Sequence, residues 1–194
     1  MTLKLAGLVL AGGEGRRMGG VQKGLLEMNG QPFAARLAAV LRPHVERVVI
    51  SANRDRAAYR KWGDAVVDDG PYAGQGPLAG LVAGLHWACE AGLDGVVVLP
   101  CDTPRISSAW VERLLAQSGD GKEALFSRVA GELNPLHCYL PCTALPKLEQ
   151  RLQQGELRIK DLLGLLGGEC VDFDDLAEEF LNVNRPADRD QLSS

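Results

Sequence analysis

An α/β fold built on a mostly parallel central sheet is what this 194-residue sequence predicts, and three observations carry it. Short apolar runs alternate with segments of helical spacing, the most apolar runs end in glycine-rich or acidic loops, and the alternation loosens only after Asp102. Strands that alternate with helices imply right-handed crossovers and a sheet covered on both faces, which is a Rossmann-like, three-layer arrangement. With 46% hydrophobic residues the chain can bury one sizeable core, so residues 1–194 are expected to form a single domain.

The first element, Leu5 to Leu10, is a buried strand that delivers its end to Ala11-Gly12-Gly13. After an Asn29-Gly30 turn, Phe33, Leu37, Val40 and Leu41 fall at helical spacing between Pro32 and Pro43. Val45 to Ser51 reads as a strand, Arg54 to Trp62 as a helix, and Ala65 to Val67 as a brief strand opening into Asp68-Asp69-Gly70. Pro77 to Ala91 has helical spacing at Leu78, Leu81, Leu85 and Ala88, and Gly95 to Leu99 is the best buried strand of the chain. Beyond Asp102 the pattern predicts a helix over 107–117, strands around 124–129 and 135–140, helices between 143 and 166, and strand-like pieces at 170–173 and 180–183.

Lys plus Arg total 21 against 25 Asp plus Glu, a formal charge of -4, and no block of like charge marks a nucleic-acid arm. A polyphosphate ligand must then be held by a local concentration of donors and cations. The cysteines Cys89, Cys101, Cys138, Cys142 and Cys170 are odd in number and form no CxxC pair, which argues for free thiols in a reducing compartment rather than a disulfide framework or zinc site. No leader-like segment opens the chain and no apolar run approaches a membrane span, so a soluble cytoplasmic protein without membrane contact is expected. His44, His86 and His137 are far apart and are assigned core or surface positions. No GxSxG, HExxH or Cys-His pattern supports a hydrolase.

Ligands of open α/β sheets bind beyond the carboxyl ends of the strands. There the sequence places Gly12, Gly13, Gly15, Arg16, Arg17, Gly19, Gly20 and Lys23 after the first strand, Ser51 and Asn53 after the second, Asp68 and Asp69 after the third, and Cys101 and Asp102 after the fourth. Residues without a Cβ let backbone N–H groups approach phosphate oxygens, and Arg16, Arg17 and Lys23 add cations; an ordinary flexible turn is the plainer alternative. Neither GxGxxG nor a P-loop is present. Asp102 suits a magnesium ligand at the sheet rim and equally an N-cap or Asx turn before Thr103-Pro104. Asp69 could serve a nucleotide sugar or a turn before Gly70.

Leu10-Ala11-Gly12-Gly13, Arg17-Met18-Gly19 and Lys23 together resemble the LAGG…RMG…K signature of the molybdenum cofactor guanylyltransferase family, the MobA-like nucleotidyltransferases. Asn29-Gly30-Gln31-Pro32, Ser51-Ala52-Asn53-Arg54, Gly76-Pro77-Leu78-Ala79-Gly80, Pro100-Cys101-Asp102-Thr103-Pro104 and Asn182-Val183-Asn184-Arg185-Pro186 look like that family's further blocks in its order. The resemblance implies a nucleotidyltransferase fold and transfer of GMP from GTP to molybdenum-molybdopterin. It implies nucleotide or cofactor contacts from Leu10, Ala11, Gly12, Gly13, Lys23, Ser51, Asn53, Asp69, Gly80, Asp102, Asn182 and Asn184, a catalytic set of Arg17, Lys23 and Asp102, and Mg2+ held by Asp102. Cofactor-synthesis proteins and molybdoenzyme chaperones would be transient partners. Ser51 stands where relatives often place an asparagine, and Gln22 replaces the family's usual aspartate before the lysine. A CTP-using transferase of the same fold and a catalytically silent nucleotide-binding regulator are the alternatives. Gly12-Gly13 in place of the LAAG pattern of cytidine-using relatives, together with the small-residue helix start at Gly80, points to GTP.

Overall fold

The computed structural model describes residues 3–12 and 22–183. In chain order the regular elements are β1 (Leu5–Leu10), β2 (Glu27–Met28), β3 (Gln31–Pro32), α1 (Phe33–Leu41), β4 (Arg47–Ser51), α2 (Arg56–Tyr59), β5 (Ala65–Val67), α3 (Pro77–Glu90) and β6 (Gly95–Pro100). They continue with α4 (Ser108–Ala116), β7 (Leu125–Val129), β8 (Glu132–Pro141), α5 (Leu145–Gln153), α6 (Leu162–Leu166) and β9 (Glu169–Asp172). Seven strands form one sheet in the order β5-β4-β1-β6-β8-β7-β9, while β2 and β3 make a small separate hairpin across Asn29-Gly30.

Strands β5, β4, β1 and β6 pair in parallel, β8 is antiparallel to both β6 and β7, and β9 returns to parallel pairing with β7. β1 and β6 are buried at every residue, as their unbroken apolar runs require of strands covered on both faces. Alternation along β1 divides the core. Leu5 and Val9 join Leu37 and Leu41 of α1 and Trp110 and Leu114 of α4 on one face. Ala6, Leu8 and Leu10 join Leu78, Leu81 and Leu85 of α3 and Leu148 and Leu152 of α5 on the other. Two glycines allow close approach of helix to strand: a Cβ on Gly7 would lie 2.8 Å from that of Leu41, and one on Gly84 would run into the Leu8 side chain.

Several sequence expectations are corrected. The helix expected over Arg54 to Trp62 contracts to the single turn of α2, entered through Asp55 in the left-handed region at φ 46°. Residues 180–183 add no strand. Residues 174–180 form 3-10 turns, and Val183 packs with Met28 and Phe33 instead of pairing at a sheet edge. Cys89 and Cys142 are joined in a disulfide, against the expectation of free thiols; Cys101, Cys138 and Cys170 are free. The last turn of α3 and the end of β8 stand side by side with Cα atoms 5.7 Å apart, well within bridging range, but 53 residues of sequence separation hid the pair. No helix among the described residues is long and apolar enough to cross a membrane.

Candidate active site

The parallel strands β5, β4, β1 and β6 all open on one side of the sheet. The chain leaves β1 for β4 on one flank and returns through α3 to β6 on the other, so the crevice beyond Leu10 and Pro100 is a topological switch point. Backbone bonds tie the exits together, from Ala11 N–H to Ser51 O at 2.9 Å, Ala52 N–H to Val67 O at 2.9 Å and Cys101 N–H to Leu10 O at 3.1 Å.

Beyond β4 and β5 the exit residues build a polar niche. Asn53 donates through Nδ2 to Asp69 Oδ2 at 2.6 Å, and its Oδ1 accepts the Asp69 backbone N–H at 2.9 Å. Asp69 is thereby fixed with its other oxygen unspent. Both Asp69 Oδ1 and Ser51 Oγ are buried without a hydrogen-bond partner among the described residues. Such atoms cost about 1–3 kcal/mol each and are uncommon in a folded chain, and these two meet at one glycine. That glycine is Gly80, in the first turns of α3, where a Cβ would sit 2.5 Å from Ser51 Oγ and 3.4 Å from both Asp69 Oδ1 and Leu10 Cδ2. Gly12 closes the other side, its absent Cβ 3.4 Å from Asn53 Nδ2. Gly76 starts α3 at φ 78°, a backbone state that side chains rarely adopt, and Pro77 follows it in the first turn. Burial raises the Asp69 carboxyl above the usual carboxylate range, opposed by the Asn53 hydrogen bond and reinforced by Asp68.

At the end of β6, burial likewise raises the Asp102 carboxyl, and the positive charge of Lys23 opposes the shift. Lys23 opens a 3-10 turn, Lys23–Leu25, that brings it within electrostatic reach of Asp102. No group of three His, Cys, Asp or Glu able to hold a metal exists among the described residues. A divalent ion at Asp102 would therefore draw its remaining ligands from water and substrate oxygens, which is the habit of Mg2+ at phosphate sites. The Asp102 carbonyl accepts the Val183 N–H at 2.7 Å and so carries exposed Asn182 to this end of the sheet. Gln22 donates to Asp55 and accepts the Tyr59 hydroxyl at 3.2 Å, contacts in which a carboxylate would oppose Asp55.

The structure thus gathers Leu10, Ala11, Gly12, Ser51, Asn53, Asp69 and Gly80 around one niche and sets Lys23 and Asp102 beside it. Gly13, Arg17 and Asn184 lie outside the described residues. Sequence reasoning missed His137, whose Nε2 stands 2.7 Å from the hydroxyl of Thr103, next to Asp102. The available signal was a histidine among the apolar residues of a strand, facing inward.

A glycine-cornered polar niche and a rim carboxylate near a lysine, across the switch point of a parallel sheet, are the arrangement of an α/β nucleotidyltransferase. The chain belongs to the MobA-like NTP transferase family, whose domain model matches residues 7–168. It is 39% identical over 184 residues to a molybdenum cofactor guanylyltransferase of Pseudomonas putida, covering 93% of this chain and 95% of the relative. It is equally 39% identical over 187 residues to one of Cereibacter sphaeroides, covering 96% and 94%. Among solved structures it is similar in fold to the molybdopterin-guanine dinucleotide biosynthesis protein A of Archaeoglobus fulgidus, with a TM-score of 0.76 at 24% identity and coverage of 98% and 97%.

Proposed function

We propose that this chain transfers GMP from GTP to the terminal phosphate of molybdenum-molybdopterin, forming the guanine dinucleotide cofactor and pyrophosphate. The observation that carries this function is the pair of unpartnered atoms, Ser51 Oγ and Asp69 Oδ1, facing Gly80. An ionised carboxylate only accepts hydrogen bonds, so its partner must be a donor. Guanine offers N1–H and its amino group, and ribose offers hydroxyls, whereas the pairing edge of cytosine is mostly acceptors.

A phosphate oxygen of the pterin attacks the α-phosphorus of GTP in line. The new oxygen–phosphorus bond forms as the bond to the leaving diphosphate breaks, and its electron pair departs with pyrophosphate. The nucleophile is ionised at neutral pH, so the chain need only align the reactants and neutralise charge. The Gly12 backbone N–H and the Lys23 side chain would contact the triphosphate, with Ala11, Gly13 and Arg17 in the same proposed set. Asp102 would hold Mg2+, which when bound supplies charge neutralisation on the phosphates. Asn182 and Asn184 would line the neighbouring edge. The proposed setting is the cytoplasm, with transient contact to cofactor-synthesis proteins and molybdoenzyme chaperones and with no nucleic-acid or membrane partner.

Incubation with GTP, Mg2+ and molybdenum-molybdopterin is expected to release one pyrophosphate per guanine dinucleotide formed. Asp102→Asn is expected to fold and lose most turnover, because an amide is a far weaker ligand for a hard cation. Absence of the dinucleotide, or full activity in a folded Asp102→Asn variant, would contradict the proposal.

A further inference from the structure

The loop that carries Asp102 runs from the end of β6 to the start of α4 and is gripped from several sides. Arg36 of α1 donates through Nε to Pro104 O at 2.7 Å. Glu179 accepts the Ser107 N–H at 2.9 Å and the Ser107 hydroxyl at 2.7 Å, and Val183 N–H reaches Asp102 O. These hold the backbone or the far end of the loop. A further grip falls on the side chain next to Asp102: Thr103, 1% exposed, has Oγ1 2.7 Å from Nε2 of His137, itself 5% exposed on β8.

Thr103 Oγ1 also lies 3.3 Å from Pro100 O. The one hydroxyl thus joins the Pro100 carbonyl and the His137 ring, and which of Oγ1 and Nε2 donates between them follows the ring tautomer. The turn over residues 100–103 is thereby closed by a side-chain bond and anchored to the antiparallel strand. Trp110 packs edge-on against the His137 ring at 6.1 Å and Phe180 lies 4.8 Å away, centroid to centroid. An imidazole in such an apolar cage carries a desolvation cost that a phenyl ring of similar shape would not. What the histidine adds over phenylalanine is the bond to Thr103.

We propose that His137 is a positioning residue for the divalent-metal site, fixing through Thr103 the turn that aims the Asp102 carboxylate. This rests on Asp102 as the metal ligand, and the test separates the two claims. Mn2+ binding to the full-length protein with GTP is read by the relaxation of water protons, alongside kcat and KM for GTP. Thr103→Val removes the hydroxyl at constant shape, His137→Phe keeps the cage, and Thr103→Ser restores the bond. Groups behind a metal ligand are worth 10–100-fold in affinity or activity, so Thr103→Val and His137→Phe are each expected to weaken Mn2+ by about 10-fold and lower kcat with little change in KM for GTP. The double variant should be no weaker than the worse single one, because both remove the same bond. Thr103→Ser should behave as the unaltered protein. If Asp102→Asn loses Mn2+ while Thr103→Val binds it normally, His137 is a satisfied core residue and the inference is overturned. If Asp102→Asn itself retains Mn2+, the metal-ligand assignment falls and the inference with it. Should His137→Phe fail to fold, Thr103→Val against Thr103→Ser decides alone.

Discussion

At Gly80 the missing methyl group lets α3 approach Ser51 and Asp69, the pair to which the proposed function assigns the nucleotide. Alanine there would raise helix propensity by about 0.8–1.0 kcal/mol, yet its Cβ would fall 2.5 Å from Ser51 Oγ and close on Asp69 Oδ1. Gly80→Ala is therefore expected to lower stability by the balance of an overpacking cost of about 1–3 kcal/mol and that propensity gain, and to raise the calorimetric Kd for GTP by about 10-fold or more in the folded protein, as loss of a good hydrogen bond in a confined site would. Unaltered GTP affinity would remove Gly80 and Ser51 from the site. Ser51, Asn53, Asp69 and Asp102 were legible in the sequence because each follows an apolar run that could only be a strand. The Asn53–Asp69 pairing and the His137–Thr103 bond were not, since those partners meet only after strands distant in sequence are laid side by side.

The β-branched run of β6 and the apolar run of β1 announced themselves, as did α1 and α3, whose apolar residues recur at one face. The elements misjudged are those whose apolar residues face something other than the sheet. The 180–183 segment uses Phe180 against His137 and Val183 against Met28 and Phe33, and so looks strand-like without joining a strand. The Cys89–Cys142 bridge joins the end of α3 to the end of β8, elements that converge only in the folded molecule. It closes a long loop, for which chain-entropy arguments give about 4 kcal/mol and measured disulfides typically about 2–4 kcal/mol. Reduction by dithiothreitol is expected to lower the free energy of urea unfolding by about that range, and Cys89→Ser to do the same with no further effect of reductant. Equal stability with and without reductant would mean that the bridge does not form in solution.

Across the whole molecule, alternation of strand and helix made the parallel half of the sheet readable, and with it the side on which ligands bind. The antiparallel insertion of β8 was not readable, because a hairpin-connected strand and a crossover strand share the same apolar pattern. β8 also brings a titrating group into the core. Burial drives His137 down to about 3 from its ordinary 6.5, and the groups against its ring, Thr103, Trp110 and Phe180, are uncharged. Between those pH values the unfolded chain takes up a proton that the native one refuses. Stability from this group is thus full above about pH 6.5 and is lost as pH falls toward 3, at up to about 1.4 kcal/mol per pH unit. Urea midpoints measured across that range should fall less steeply for His137→Phe than for the unaltered chain. Identical slopes would show that His137 is not held neutral.

The choice of base tests the proposed site as a whole, since the proposal assigns it to the Ser51 and Asp69 niche, the Gly12 and Gly80 corners and the Asp102 end acting together. A site built to hydrogen-bond one base rejects another that leaves its polar groups unpaired by roughly 10⁴ or more, whereas a merely roomy pocket discriminates far less. The direct measurement is kcat/KM for GTP and for CTP with the same Mg2+ and molybdenum-molybdopterin, following formation of the pterin dinucleotide. Strong preference for GTP, on the order of 10⁴, is the expected result. Equal or better use of CTP would contradict guanylyl transfer at this site.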